Sequence, residues 1–266
     1  MGASGIGKLP RWLVAFTAVC LLFMHLPVLV LIAFSFNASK FAVTWTGFTL
    51  GWYRRLLERD DILHALQASL IVGVTATAIA VALGTLIALA LARHRFRGRT
   101  IYEGMMYVPI VTPEIVTGIS LLVLFVFLRM PLGLTTIIIA HVAFCVPFVV
   151  VVVMARLAGM DENLEEAAMT LGADEITTFF RITLPLLWPG ILSAALLSFI
   201  LSFDDFVITS LVAGSGSSTL PLVIYSMVRR NVEPSINAIS ALIVVATSIL
   251  LYASDRISRR NDPAHA

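Results

Sequence analysis

Apolar residues in this chain fall into six long blocks separated by short polar stretches. The blocks run roughly Trp12–Phe36, Ala65–Ala92, Ile101–Leu128, Thr136–Ala155, Leu187–Val212 and Ser235–Ala253. Each is about as long as the ~20 helical residues that cross a ~30 Å hydrocarbon layer at 1.5 Å per residue. Lipid offers no partners to backbone N–H and C=O groups, so blocks of this kind must be helices. Lys8 and Arg11 precede the first block as they would in a signal peptide. The apolar run is too long for a cleaved h-region and lacks a clean small-residue cleavage site, so it reads as a retained span. The pattern predicts an all-α membrane protein of six spans, one transmembrane domain over 1–266.

Composition agrees. Of 266 residues 59% are hydrophobic and 13% charged, and the mean hydropathy is +0.97. Soluble domains average roughly 25% charged residues, so this chain lacks the surface to face water all round. A net charge of +2 gives no footprint for nucleic acid. The basic cluster Arg93-His94-Arg95-Phe96-Arg97-Gly98-Arg99 occupies a short loop. Under the positive-inside rule it places that loop, and both termini, in the cytoplasm.

Candidate chemistry is sparse. Cys20 and Cys145 lie in apolar runs as packing residues, and His25, His64, His94 and His141 show no metal-ligand spacing. No G-x-S-x-G or H-E-x-x-H constellation appears, so no catalytic residue is assigned. Residues 2–8 spell most of a P-loop, but Leu9 replaces the required Ser or Thr and Pro10 follows.

The one sizeable cytoplasmic loop runs from Arg156 to about Leu186. Asp161 is placed to cap a short helix with acidic residues in its first turn, and Gly172 suits the C′ position after Leu171. A second short helix is expected from about Asp174, ending near Leu184 because Pro185 and Pro189 follow. Within the loop, Glu166-Ala167-Ala168, Gly172, Ile182, Leu184 and Pro185 satisfy each defined position of E-A-A-x3-G-x9-I-x-L-P. This resembles the EAA loop of bacterial ABC importer permeases. The resemblance implies the type I importer permease fold, with the loop acting as the coupling helix that sits in a groove of a separate ATPase.

Further segments narrow the likeness: Phe34-Ser35-Phe36-Asn37, Trp45-Thr46-Gly47-Phe48, Val108-Pro109, Pro113-Glu114-Ile115-Val116-Thr117-Gly118, Ser202-Phe203-Asp204-Asp205-Phe206 and Leu220-Pro221-Leu222. Together they are similar to the spermidine/putrescine permease family, the second permease of its pair. Asn231 and Ser235 stand where that pattern has Gly and Glu. The resemblance implies a bacterial inner-membrane protein that forms half a pore. It would work with a second homologous permease, an ATPase dimer that carries ATP and Mg, and an extracytoplasmic substrate-binding protein. The chain itself would bind no cofactor.

Intramembrane polar residues supply the candidate substrate path. Pro109 and Pro113 break the third block, with Thr112, Pro113 and Glu114 reading as N-cap, N1 and N2 of a second half-helix near the midplane. Glu114 then either faces the path and attracts a cation or only caps its half-helix. In the fifth block, Ser198, Ser202, Asp205 and Thr209 form a polar stripe on a continuous helix, while Asp204 has apolar neighbours. Asp205 is therefore expected to line the path, and Asp204 to pair with a group on another helix or subunit. Tyr107 joins them as an aromatic face for a cation. Rival readings are an importer for another small cationic or amine-bearing solute, and an ion-coupled secondary transporter using the same carboxylates.

Overall fold

A computed structural model describes residues 10–39, 44–161, 163–230 and 234–260. The P-loop-like segment 2–8, Lys8, Lys40 and Asn231 lie outside the described residues. The elements are helical: α1 (Arg11–Phe34), α2 (Gly51–Leu57), α3 (Asp60–Arg93), α4 (Arg99–Val111), α5 (Glu114–Phe127), α6 (Leu134–Ala158), α7 (Asn163–Thr170) and α8 (Glu175–Thr178). A π turn (Phe179–Thr183) follows, then α9 (Leu184–Asp204), α10 (Val207–Val212), α11 (Leu220–Arg230) and α12 (Pro234–Arg260). Among the described residues five helices are long and apolar enough to cross a membrane, or six if the bent α4–α5 pair is one span.

Contacts divide the chain into two units. One comprises Met1–Arg59 with Met227–Val245. Within it α1 buries no residue in this chain, leaving its apolar surface for lipid or another polypeptide. Asn37 organises the turn that follows. Its side chain donates to Thr44 O at 2.7 Å and accepts from Thr46 N–H at 2.9 Å, while Trp52 Nε1 donates to its backbone O at 2.7 Å.

The other unit, Asp60–Ser226 with Ala246–Ala266, holds the core. Small residues along one face of α3 (Ala65, Ser69, Ala76, Ala80, Gly84 and Ala88) are buried. In lipid, where tails are as apolar as side chains, helices associate by such close packing. Gly84 fits so tightly that a Cβ there would lie 2.6 Å from Val149. Phe125, Ile137, Phe144, Val149, Val153, Leu187, Ala194 and Ile208 fill the space between α5, α6, α9 and α10.

Three local expectations are corrected. First, the expected break in the third apolar block is present but is made at Thr112 and Pro113 and not at Pro109, and there α4 and α5 meet at 107°. At 1.5 Å per residue each half is only ~20 Å long, too short to cross the hydrocarbon alone. Pro109 is absorbed inside α4, and the chain turns where Thr112 and Pro113 adopt extended ψ values of 132° and 134°. The half-helix therefore starts one residue later than expected, with Pro113 at the N-cap and Glu114 first in α5. Thr112 caps nothing and returns its hydroxyl to Val108 O at 2.6 Å.

Second, Pro185 does not end the helix that begins at Glu175. Leu184 N–H bonds Phe179 O, five residues back, at the end of the π turn. The register is thus already shifted, and Pro185, which has no N–H to offer, falls in the first turn of α9 where none is needed. Third, the fifth block is not continuous to Val212. Asp205 is extended (φ −66°, ψ 124°) and separates α9 from α10.

Candidate functional site

The loop after α6 folds as its local signals dictate. Asp161 Oδ1 accepts the Asn163 N–H at 3.0 Å, relieving one orphan donor of α7. At the other end Gly172 is left-handed, with φ +93°. Ala173 N–H bonds Ala168 O and Gly172 N–H bonds Met169 O, each at 3.0 Å, which is a Schellman closure. Asp174 then caps α8, accepting Thr177 N–H at 3.1 Å. Hydrogen bonds from the Thr177 side chain and backbone hold the Asp174 carboxyl below its ordinary value.

Glu166, Ala167 and Gly172 lie on exposed surface, and Ala168 is half-buried. Leu171, beside the turn, is 90% exposed. Ile182 belongs to the π turn, Leu184 opens α9 and packs on the core, and Pro185 is exposed beside it. The loop thus presents a short helix with an uncovered outer face, rooted in the bundle at Leu184.

The intramembrane carboxylates are not arranged as the stripe argument expects. Ser198, Ser202, Asp205 and Thr209 are indeed together, but all four are buried inside this one chain, with Asp205 8% exposed. Asp205 Oδ1 accepts Ile208 N–H at 3.2 Å, and Oδ2 accepts the N–H and the hydroxyl of Thr209, both at 2.8 Å. His141, on α6, approaches Oδ2 with Nε2 at 3.2 Å and is 1% exposed. Its Nδ1 lies 2.7 Å from Ser202 Oγ and its Nε2 3.0 Å from Thr209 Oγ1.

The donor count fixes the proton. Thr209 already gives its hydroxyl hydrogen to Asp205, so an unprotonated Nε2 would set its lone pair against a carboxylate. Nε2 therefore carries hydrogen, and in the neutral ring Nδ1 accepts from Ser202. Asp205, one residue before the N-cap Phe206, receives the first-turn N–H groups of α10 on its carboxylate, with an imidazole as its charge-assisted partner. Within this chain its side chain is turned into the bundle, toward α6. Sequence reading missed His141. The only signal is that an intramembrane His and Asp each need a partner.

Asp204 shows the opposite. It ends α9 with an exposed side chain and makes no ion pair among the described residues. A carboxylate at a helix C-terminus meets the negative end of the macrodipole, so capping does not explain it. Glu114 is exposed at the first position of α5, where the dipole favours it, and also has no ion pair among the described residues. Tyr107, Val108, Val111, Thr112 and Pro113 line an open depression of about 470 Å³ inside the α4–α5 bend. Phe206 packs on Tyr225 with ring centroids 4.4 Å apart.

A helical membrane bundle with an exposed, Gly-terminated loop helix is the form of an ABC importer permease, and comparison with known proteins establishes that class. Residues 80–264 match the family of binding-protein-dependent transport system inner membrane components, and the chain belongs to that family. It is a multi-pass inner-membrane protein.

Among curated relatives it is 42% identical over 254 residues to the spermidine/putrescine transport system permease protein PotC of Escherichia coli strain K12, covering 96% of each chain. It is 42% identical over 246 residues to the putrescine transport system permease protein PotI of the same strain, covering 90% of this chain and 88% of that one. The fold matches a bacterial alginate ABC transporter crystallised with its alginate pentasaccharide-bound periplasmic protein (TM-score 0.70, 14% identity, 94% of each chain). It also matches the inward-facing MetNI methionine ABC transporter (TM-score 0.61, 18% identity, 81% of this chain and 100% of that one). An ion-coupled secondary transporter is set aside by the family membership.

Proposed function

We propose that this chain is one half of the pore of an ATP-driven importer for polyamines such as putrescine and spermidine. The observation that carries the substrate class is 42% identity, along 96% of both chains, to a spermidine/putrescine permease. The chain pairs with a second, homologous permease. A separate ATPase dimer docks on the exposed face of α7 and carries the ATP and Mg, so the chain itself needs no cofactor. An extracytoplasmic binding protein delivers the substrate. ATPase closure pulls the loop helices together and turns the pore outward, and hydrolysis resets it. Asp204, Glu114 and Tyr107 meet the polycation along the path, because exposed carboxylates and an aromatic face attract it by Coulomb and cation–π forces. Asp205 acts behind them by holding the α9–α10 break in place.

Reconstituted with its ATPase, partner permease and binding protein, the chain is expected to support ATP-dependent uptake of labelled putrescine or spermidine that excess unlabelled polyamine suppresses. Uptake of another amine-bearing solute instead, with no response to polyamines, would move the substrate class but leave the importer reading intact.

Orientation has its own test. With α7 on the cytoplasmic side, together with both termini, a cysteine at Ser217 is expected to react with a membrane-impermeant thiol reagent from outside, and one at Asn163 only after the membrane is opened. The reverse pattern would place the ATPase contact on the wrong face.

A further inference from the structure

The base of the loop helix carries a charged junction that none of the assigned coupling positions includes. Arg93 is the last residue of α3. Its guanidinium leaves the helix end and donates to Glu165 Oε1 in the first turn of α7, 72 residues away. Thr183, in the π turn that leads into α9, donates its hydroxyl to the same oxygen at 2.6 Å, and Arg93 Nη2 lies 3.3 Å from the Thr183 oxygen. The end of α3, α7 and the π turn thus close on one carboxylate. The Glu165 side chain is 20% exposed and that of Arg93 36%, so the pair is partly withdrawn from water. Neighbouring Glu166 is exposed. Successive residues on a helix point about 100° apart, so one glutamate is turned toward the bundle and the other away from it.

A further strap lies beside this junction. Arg156, at the end of α6, donates from Nε to Leu186 O in the first turn of α9 at 3.1 Å. Its aliphatic stem occupies the space a side chain at Gly190 would need, since a Cβ there would come within 2.7 Å. Displacement of the base of α9 is therefore felt by α6 as well. α7 itself buries no residue and ends in a Gly turn. A push on α7 without the junction would flex the loop at Gly172 and leave the bundle still. Wide π turns also tend to accompany functional positions, and here one supplies the Thr183 hydroxyl.

We propose that Arg93, Glu165 and Thr183 are positioning residues that transmit displacement of α7 to α3 and α9, converting an ATPase movement into a movement of the spans. This rests on the reading of α7 as the ATPase contact. The test uses the assembled transporter in vesicles and measures substrate moved per ATP hydrolysed, alongside the yield of assembled complex. R93Q and E165Q are each expected to lower that ratio by about fivefold or more, the scale of a typical coupling energy, with ATPase still bound. Arg93→Lys is expected to retain most of it, and the charge-reversed pair R93E/E165R to recover to within about twofold of the parent, because the interaction rather than either residue carries the link.

A parent-like ratio in R93Q and E165Q would overturn the proposal, as would a reversed pair no better than the singles. If R93Q does not assemble, Thr183→Val, nearly isosteric, carries the same test: a lowered ratio supports the link and an unchanged one refutes it. Leu171→Asp, on the exposed end of α7, separates the underlying reading. If the ATPase still co-purifies and responds to substrate with L171D, the contact lies elsewhere and the docking assignment falls. If L171D releases the ATPase while R93Q keeps a normal ratio, only the transmission proposal falls.

Discussion

Asp205→Asn is expected to damage assembly of the permease, and Asp204→Asn to damage transport by permease that has assembled. The carboxylate of Asp205 receives two backbone N–H groups, one hydroxyl and the His141 ring inside the bundle. An amide offers one acceptor oxygen where the carboxylate offers two, and turns an NH2 toward donors. Each of these four buried donors that the amide fails to pair costs about 1–3 kcal/mol. That is a large part of a typical 5–15 kcal/mol of stability.

Asp204 has no such partners among the described residues, so its replacement leaves packing intact. It removes an attraction to a polycation with a net effect of about 1–2 kcal/mol, roughly tenfold in transport. The measurement is thermal stability in detergent together with polyamine uptake normalised to assembled complex. Full stability with a transport defect in D205N would show that the His141 network does not hold the bundle. The double variant H141L/D205L should lose less than the two single losses summed, since it leaves no orphaned charge.

Gly172→Val is expected to abolish most uptake while the protein still inserts. Space is not the difficulty, because nothing lies within 4 Å of where a Cβ would stand. The obstacle is the backbone: φ is +93°, and a left-handed conformation costs an L-residue roughly 1–2 kcal/mol, with β-branched residues worst placed. The Val variant would give up the Schellman closure, and α7 would meet α8 at a different angle. Uptake should fall on the order of tenfold or more, as misplacement of a contact by an ångström does elsewhere. Gly172→Asn should keep most of it, because Asn tolerates the left-handed region. Equal uptake and stimulated hydrolysis in the parent and G172V would remove the turn from the coupling mechanism.

What the sequence determined by itself was whatever depends on neighbours along the chain. Apolar length forces helices in lipid, Asp161 and Gly172 bracket α7 through hydrogen bonds that span a few residues, and the E-A-A-x3-G-x9-I-x-L-P spacing names the loop outright. Four things had to wait for tertiary structure. Two prolines were compatible with a kink or a turn, and only packing set the 107° between α4 and α5. Pro185 looks like a helix end until the π turn before it shifts the register.

The polar stripe around Asp205 reads the same whether it faces water or a buried partner. His141, which decides the matter, is on another helix 61 residues before Ser202. Arg93 and Glu165 likewise look like two unrelated surface charges until α3 and α7 are brought end to end. In each case the physical reason is the same. Helix periodicity fixes which residues share a face, but a membrane bundle buries some faces in protein and others in lipid or a path. Which neighbour a polar face meets is set by contacts between distant segments.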